Sequence, residues 1–228
     1  MLAIYAPIVL ILGVIISFLA SMYVREFRIY RYFVRIFFIH LIVGIIWCVF
    51  ASLLVVDVEI YRRFWHLNLI AVLLFALEII FFTHGNIKES LRMILPRFEG
   101  HMWIPIISLF LVAEEIMLTP GIAIAIALAG FIFALIIELM YSVSQIYSLM
   151  KGGKLFYFWR KIMLLAAWYI VFGLAYSITG VLAMSHIISY EVGNSIIASV
   201  YVIKSLLIFD LVKYYRKNLK PIVAKLAL

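Results

Sequence analysis

The chain is expected to be an all-α, polytopic transmembrane bundle of seven spans, N-terminus outside and C-terminus in the cytoplasm. Three observations predict this. Hydrophobic residues make up 68% of the 228 residues and charged residues 13%, against roughly 45–50% and about 25% in a soluble domain. In water that composition leaves apolar surface uncovered, and a bilayer removes the problem. The apolar residues also fall in continuous runs near the ~20 residues a spanning helix needs, not in the alternating segments of a barrel. Finally, the basic residues are sorted by the ends of those runs.

The first run is 3–22. It lacks a basic stretch before it and a small-residue cleavage site after it, so it reads as a retained span and not a signal peptide. The second, 34–55, holds the lone Cys48, which excludes an internal disulfide, a Cys-held iron–sulfur cluster and a CxxC redox pair. The third, 64–82, carries Glu78 and leads into the longest connection, "HGNIKESLRMILPRFEGH". There Asn86 and Glu89 have capping-box spacing, and Ile87, Leu91, Ile94 and Leu95 share one face before Pro96 ends the pattern. This predicts an amphipathic helix over 86–95 on the cytoplasmic membrane surface, with docking to a partner subunit as the alternative.

The fourth run, 102–118, is short and contains Glu114 and Glu115; the fifth, 121–141, contains Glu138. The sixth and seventh are 162–184 and 193–212. Small residues at Gly121, Ala125 and Ala129, and at Gly173, Ser177 and Gly180, mark expected helix–helix contacts. Trp65, Trp103, Tyr23, Tyr141, Tyr190 and Tyr214 fall near span ends, as interfacial aromatic belts require. No linker divides the chain, so residues 1–228 form one domain.

Orientation follows from lysine and arginine. The connections after spans one, three and five, with the C-terminal tail, carry Arg25, Arg28, Arg31, Arg35, Lys88, Arg92, Arg97, Lys151, Lys154, Arg160, Lys161, Lys213, Arg216, Lys217, Lys220 and Lys225. That is sixteen of the 19 basic residues; Arg62 and Arg63 lie on the opposite side and Lys204 lies within a span. The positive-inside rule makes the richer side cytoplasmic. The net charge of +8 is accordingly a topology and lipid-headgroup signal, and no nucleic acid partner is expected.

Ionisable residues inside a membrane are default site candidates. Glu78 lies roughly 16–17 Å below Leu67 by helical rise, and Lys204 is about as far below Gly193. The two form a candidate buried charge pair if spans three and seven are neighbours. Glu114, Glu115, Glu138 and Asp210 are secondary intramembrane acids, Asp210 facing water or Lys213. His40 and His84 are weak candidates for axial ligands of a haem b, and His66 and His186 form a second possible pair. No residues have metal-site spacing.

With its lysine midway along span seven, Trp65 in span three and Trp168 in span six, the chain resembles the microbial rhodopsins in topology. Those are N-out seven-helix bundles of similar length whose retinal forms a Schiff base with such a lysine. That resemblance implies retinal on Lys204 with Glu78 as its counter-ion. The motifs depart from the family: Val200 stands one turn before the lysine where an acid belongs, and in "YRRFWHLN" Phe64 takes the place of the carboxylate beside the tryptophan. A seven-helix exporter built from three-helix repeats would show a Pro-Gln dipeptide or a repeat, and neither is present.

Enzyme chemistry is not expected, since no phosphate loop, metal motif or nucleophile–base pair stands out. The leading expectation is a cell-membrane subunit or scaffold of a larger assembly, bound to lipids and to partner subunits or its own copies, without a cofactor. The alternatives are a small proton-, ion- or solute-translocating bundle using Glu78 and Lys204, or a retinal-binding protein.

Overall fold

In a computed structural model of the protein, residues 2–24, 31–82 and 154–219 are described. The predicted spans 102–118 and 121–141, the surface helix 86–95, and Glu114, Glu115, Glu138 and His84 lie outside them. Among the described residues the chain is helical, with no strand. Its elements are α1 (Leu2–Val24), α2 (Arg31–Val56), α3 (Val58–Arg63), α4 (Trp65–Ile80), α5 (Lys154–Met184) and α6 (Tyr190–Tyr214), the last continued by a π-helical turn, Tyr215–Leu219.

Among the described residues four stretches are long and apolar enough to cross a membrane: Ala3–Tyr23, Val34–Val56, Arg160–Ala183 and Tyr190–Asn218. Ile70–Ile79, within α4, is a shorter apolar helix. Large side chains such as Ile8, Ile15, Phe18, Val49 and Ile178 stay exposed around the bundle, a surface that suits lipid and not water.

The breaks between helices have local causes. Asp57 leaves α2 in an extended conformation (φ −165°), and its carboxylate accepts the N–H groups of Glu59 (2.6 Å) and Ile60 (3.0 Å). Glu59 in the first turn of α3 and Arg62 and Arg63 in its last complement the helix dipole. The sequence reading passes over α3, because six residues are too few for a periodic pattern to show. Its Tyr61 is buried, and that burial pushes the phenol pKa well up. Ser189 caps α6 by accepting the Val192 N–H at 3.4 Å.

The C-terminus of α5 is a Schellman turn. Ile187 donates to the Leu182 carbonyl (2.9 Å) and His186 to that of Ala183 (3.1 Å), with His186 at φ 57°. A left-handed conformation costs a non-glycine residue roughly 1–2 kcal/mol. His186→Gly should therefore raise the thermal stability of the detergent-solubilised protein by about 1 kcal/mol; a drop would show that the imidazole makes a compensating contact.

Side-chain contacts fix the helix directions. Tyr5 meets Ser199, Ser17 meets Ser205 and Tyr23 lies under Arg216, so α1 and α6 run parallel. Trp47 meets Asn68 while His40 approaches Glu78, so α2 and α4 are antiparallel. Tyr176 meets Asn68 and Tyr169 meets Glu78, so α5 opposes α4; Lys161 meets Asp210, so it opposes α6 too. The helices form an arc in the order α4, α2, α1, α6, α5. The side chains of Phe75, Phe82, Tyr169 and Phe172 link α4 to α5 across its interior.

The closest approach is made by one ring between two glycines. Tyr201 of α6 inserts between α1 and α2, where a Cβ on Gly13 would stand 2.7 Å from its Cδ1 and a Cβ on Gly44 only 1.9 Å from its hydroxyl oxygen. The ring stacks on His40 (centroids 4.6 Å apart) and its hydroxyl donates to the His40 carbonyl at 2.9 Å. Among the described residues a Cβ on Gly180 would meet nothing within 4 Å, and Gly180 lines a cavity.

Candidate functional site: a buried polar centre

Among the described residues, the fully buried charged groups of the arc's interior gather at one level. There Glu78 and Lys204 are both 0% exposed, and Ser205, His40 and Ser17 are buried beside them. Glu78, Lys204 and His40 come from helices whose neighbouring turns are apolar, so the side-chain partners of these three come from other helices.

The structure brings Glu78 and Lys204 together. The Lys204 ammonium donates to Glu78 Oε2 at 2.9 Å. The Tyr169 hydroxyl donates to the other oxygen, Oε1, at 2.5 Å. His40 Nδ1 lies 3.3 Å from that same oxygen, off the direction of a good hydrogen bond. One carboxylate thus gathers groups from α2, α5 and α6. The ammonium is also enclosed by aromatic faces, 4.2 Å from the Tyr169 centroid, 4.6 Å from Phe75 and 5.0 Å from Phe172. Each face offers negative charge density to the cation.

From His40 the network continues sideways. Its Nε2 is 3.0 Å from the Ser205 hydroxyl, which is 3.0 Å from that of Ser17 on α1. The single hydroxyl proton of Ser205 can go instead to the Tyr201 carbonyl, and that of Ser17 either to Ser205 or to the Gly13 carbonyl. Which of His40 and Ser205 donates to the other is set by the imidazole tautomer. The result is a contiguous chain, Lys204 and Tyr169 to Glu78 to His40 to Ser205 to Ser17, drawing on all five long helices.

Ser205, His40 and Glu78 repeat the order of a hydrolase triad, yet the environment is wrong for acyl transfer. Ser205 is fully buried within a helix and donates to its own backbone, and the acid is neutralised by Lys204. A nucleophile needs substrate access and nearby oxyanion donors. Hydrogen bonding and proton exchange are what this arrangement can do.

An aromatic layer of Trp47, Phe75 and Phe172 lies beside the centre, Trp47 5.1 Å from Phe172 and 6.5 Å from Phe75. Beyond it, the Trp47 indole N–H donates to Asn68, whose amide donates to the Tyr176 hydroxyl. Asn68 and Tyr176 then line a cavity of about 250 Å³ at the end of the bundle marked by Tyr61 and Tyr190. Toward the other end, Asp210 pairs with Lys161 of α5, not with Lys213, and Lys161 sits 5.4 Å over the Tyr214 ring.

No family model, no curated protein and no solved structure matches the chain. The site therefore has to be read from its own geometry.

Sequence reasoning singles out Glu78 and Lys204 of this centre but not Tyr169, Ser205 and Ser17, and treats His40 only as a haem candidate; Asp210, read as an intramembrane acid, is more than half exposed and lies apart from the centre. A signal for His40 was present. It lies six residues inside the 34–55 run and Glu78 four residues inside the end of 64–82, roughly 9 and 6 Å from the same boundary by helical rise. As placed, His40 is wedged between Glu78 and Ser205, with the Tyr201 ring on its face. Axial ligation of a haem would require breaking that wedge. Likewise, a polyene on Lys204 would have to take the space of the three rings around the ammonium. Among the described residues no group of three or more His, Cys, Asp or Glu is placed to hold a metal.

Proposed function

We propose that this chain is a multi-pass membrane protein that translocates protons, with Glu78 as the proton-accepting hub and Lys204 and His40 as its exchange partners. One observation carries the reading: a fully buried carboxylate meets an ammonium, a phenol and an imidazole at once, all within apolar spans. Fixing helix register would require only a single neutral contact. Ionisable groups inside a bilayer are costly, and chains of them mark proton relays. The hub sits between two approaches, the cavity beyond the aromatic layer on one side and the Lys161–Asp210 pair on the other. In this reading the Tyr61 end faces outward, because Arg35, Arg160, Lys161, Lys213, Arg216 and Lys217 gather at the opposite end.

Seven spans also suit the helix directions. α4 ends and α5 begins at the same end of the bundle, so residues 83–153 can add membrane crossings only in pairs, and the predicted spans 102–118 and 121–141 are such a pair. The subunit reading rests on the surface helix, which lies outside the described residues, and on the basic cytoplasmic face; the polar centre favours translocation.

The test is proton flux into vesicles holding the purified protein and an internal pH dye, driven by a potassium diffusion potential. Flux should exceed that of protein-free vesicles and fall at least tenfold in the Glu78→Gln, Lys204→Met double variant, which strands neither charge of the pair, checked for a wild-type elution profile. A folded wild-type protein that leaks no more than empty vesicles across pH 5 to 8 would refute the reading.

A further inference from the structure

The cavity at the Tyr61 end has a distinctive wall. Phe50, Tyr61, Tyr176 and Tyr190 supply aromatic surface, and Gly180 leaves room on the α5 side. Among the described residues Arg62 is the one cation in the wall, held 5.6 Å over the Tyr190 ring, and no acid lines it, although Glu191 lies near enough to Tyr61 to act on its phenol. Asn194 also faces it; its carboxamide oxygen accepts from Tyr61 at 3.4 Å, while its buried Nδ2 has no partner among the described residues. A buried amide donor without a partner calls for an explanation.

We infer that this cavity binds a small monocarboxylate carried on a flat apolar body. The carboxylate would lie against the Arg62 guanidinium, with its body against the tyrosine and phenylalanine rings, and the Asn194 amide would turn toward it to donate from its otherwise covered Nδ2. A single cation matches one negative charge and not a dianion, and the volume, just below the roughly 300–1,000 Å³ of drug-sized ligand sites, suits a body of about one ring. The inference stands apart from proton translocation, because its readout is binding.

The experiment is equilibrium binding of radiolabelled benzoate to the full chain in lipid nanodiscs at pH 7, with benzamide and oleate as competitors. Saturable benzoate binding is expected, weakened about tenfold by Arg62→Gln. Gly180→Leu should abolish it, since that side chain grows into open space and fills the cavity without disturbing a neighbour. Benzamide should compete at least tenfold more weakly than benzoate. If radiolabelled oleate alone binds saturably, the cavity takes a long-chain carboxylate from the membrane and the inference of a small, flat ligand is overturned. The inference is overturned if neither acid binds the folded protein, if Gly180→Leu binds like wild type, or if benzamide competes as well as benzoate.

Discussion

Lys204→Met and Glu78→Gln should each destabilise the protein severely, and the two together should cost less than either alone. Breaking a buried ion pair by removing one partner typically costs about 3–5 kcal/mol, because the other charge is stranded. Lys204→Met leaves a carboxylate that keeps the Tyr169 hydroxyl and the nearby imidazole. Glu78→Gln leaves an ammonium against three aromatic rings with no counter-charge of comparable strength. The signs of the pH response must then differ. A stranded carboxylate is relieved by taking up a proton, so the folded Lys204→Met protein binds more protons than its unfolded form and gains stability as pH falls. A stranded ammonium is relieved by losing one, so Glu78→Gln gains stability as pH rises. Thermal unfolding in detergent between pH 5 and 9 measures both slopes. Additive losses in the double variant, or parallel pH slopes in the single ones, would contradict the contact.

Gly44→Ala should be the most damaging single-methyl change in α2. A Cβ there would stand 1.9 Å from the Tyr201 hydroxyl oxygen and 2.3 Å from its Cζ. Both atoms belong to a fully buried ring between two helices, so neither can yield easily. The ring must withdraw, and with it go the stack on His40 and the hydrogen bond to the His40 carbonyl. Overpacking alone costs about 1–3 kcal/mol, and an abandoned hydrogen bond adds about 1 kcal/mol. Gly13→Ala meets the same ring at 2.7 Å and should cost less. Tyr201→Phe should not rescue Gly44→Ala, because the clash with Cζ remains, whereas Tyr201→Leu should restore part of the loss. Thermal unfolding ranks the four proteins. Gly44→Ala matching wild type would mean that the slot between α1 and α2 is wider than the structure has it.

The two glycines show where sequence reading reaches its limit. Small residues spaced along one helix suggested contacts at Gly173, Ser177 and Gly180, but the tight approach uses one glycine from each of two helices to admit a single ring. A motif within one helix cannot reveal that. The helix positions were legible because apolar runs are long and charges few: 3–22, 34–55, 162–184 and 193–212 each lie within a helix and 64–82 contains one, although the helix around 162–184 begins eight residues earlier, at Lys154. Counting residues along spans three and seven also sufficed to put Glu78 and Lys204 at comparable depth. What it could not supply was azimuth. These helices are apolar on nearly every side, so no stripe says which way His40 or Tyr169 points. Ser17 and Ser205 were invisible for a related reason: a serine in a span commonly bonds its own backbone, as both do here, and its second contact depends on a neighbour that periodicity does not identify.

The side-by-side, parallel pairing of α1 and α6 bears on how the molecule is made. Ser17 and Gly13 find their partners in Ser205 and Tyr201, which the ribosome adds nearly two hundred residues later. Until then α1 must sit in the bilayer with its glycine and serine facing lipid or an insertase. The lysine of α6 arrives last, after the glutamate that receives it is already in place. Assembly should therefore stall in a chain truncated before Tyr190, leaving α1 exposed to quality-control proteases. Supplying α6 as a separate peptide during synthesis should relieve the stall.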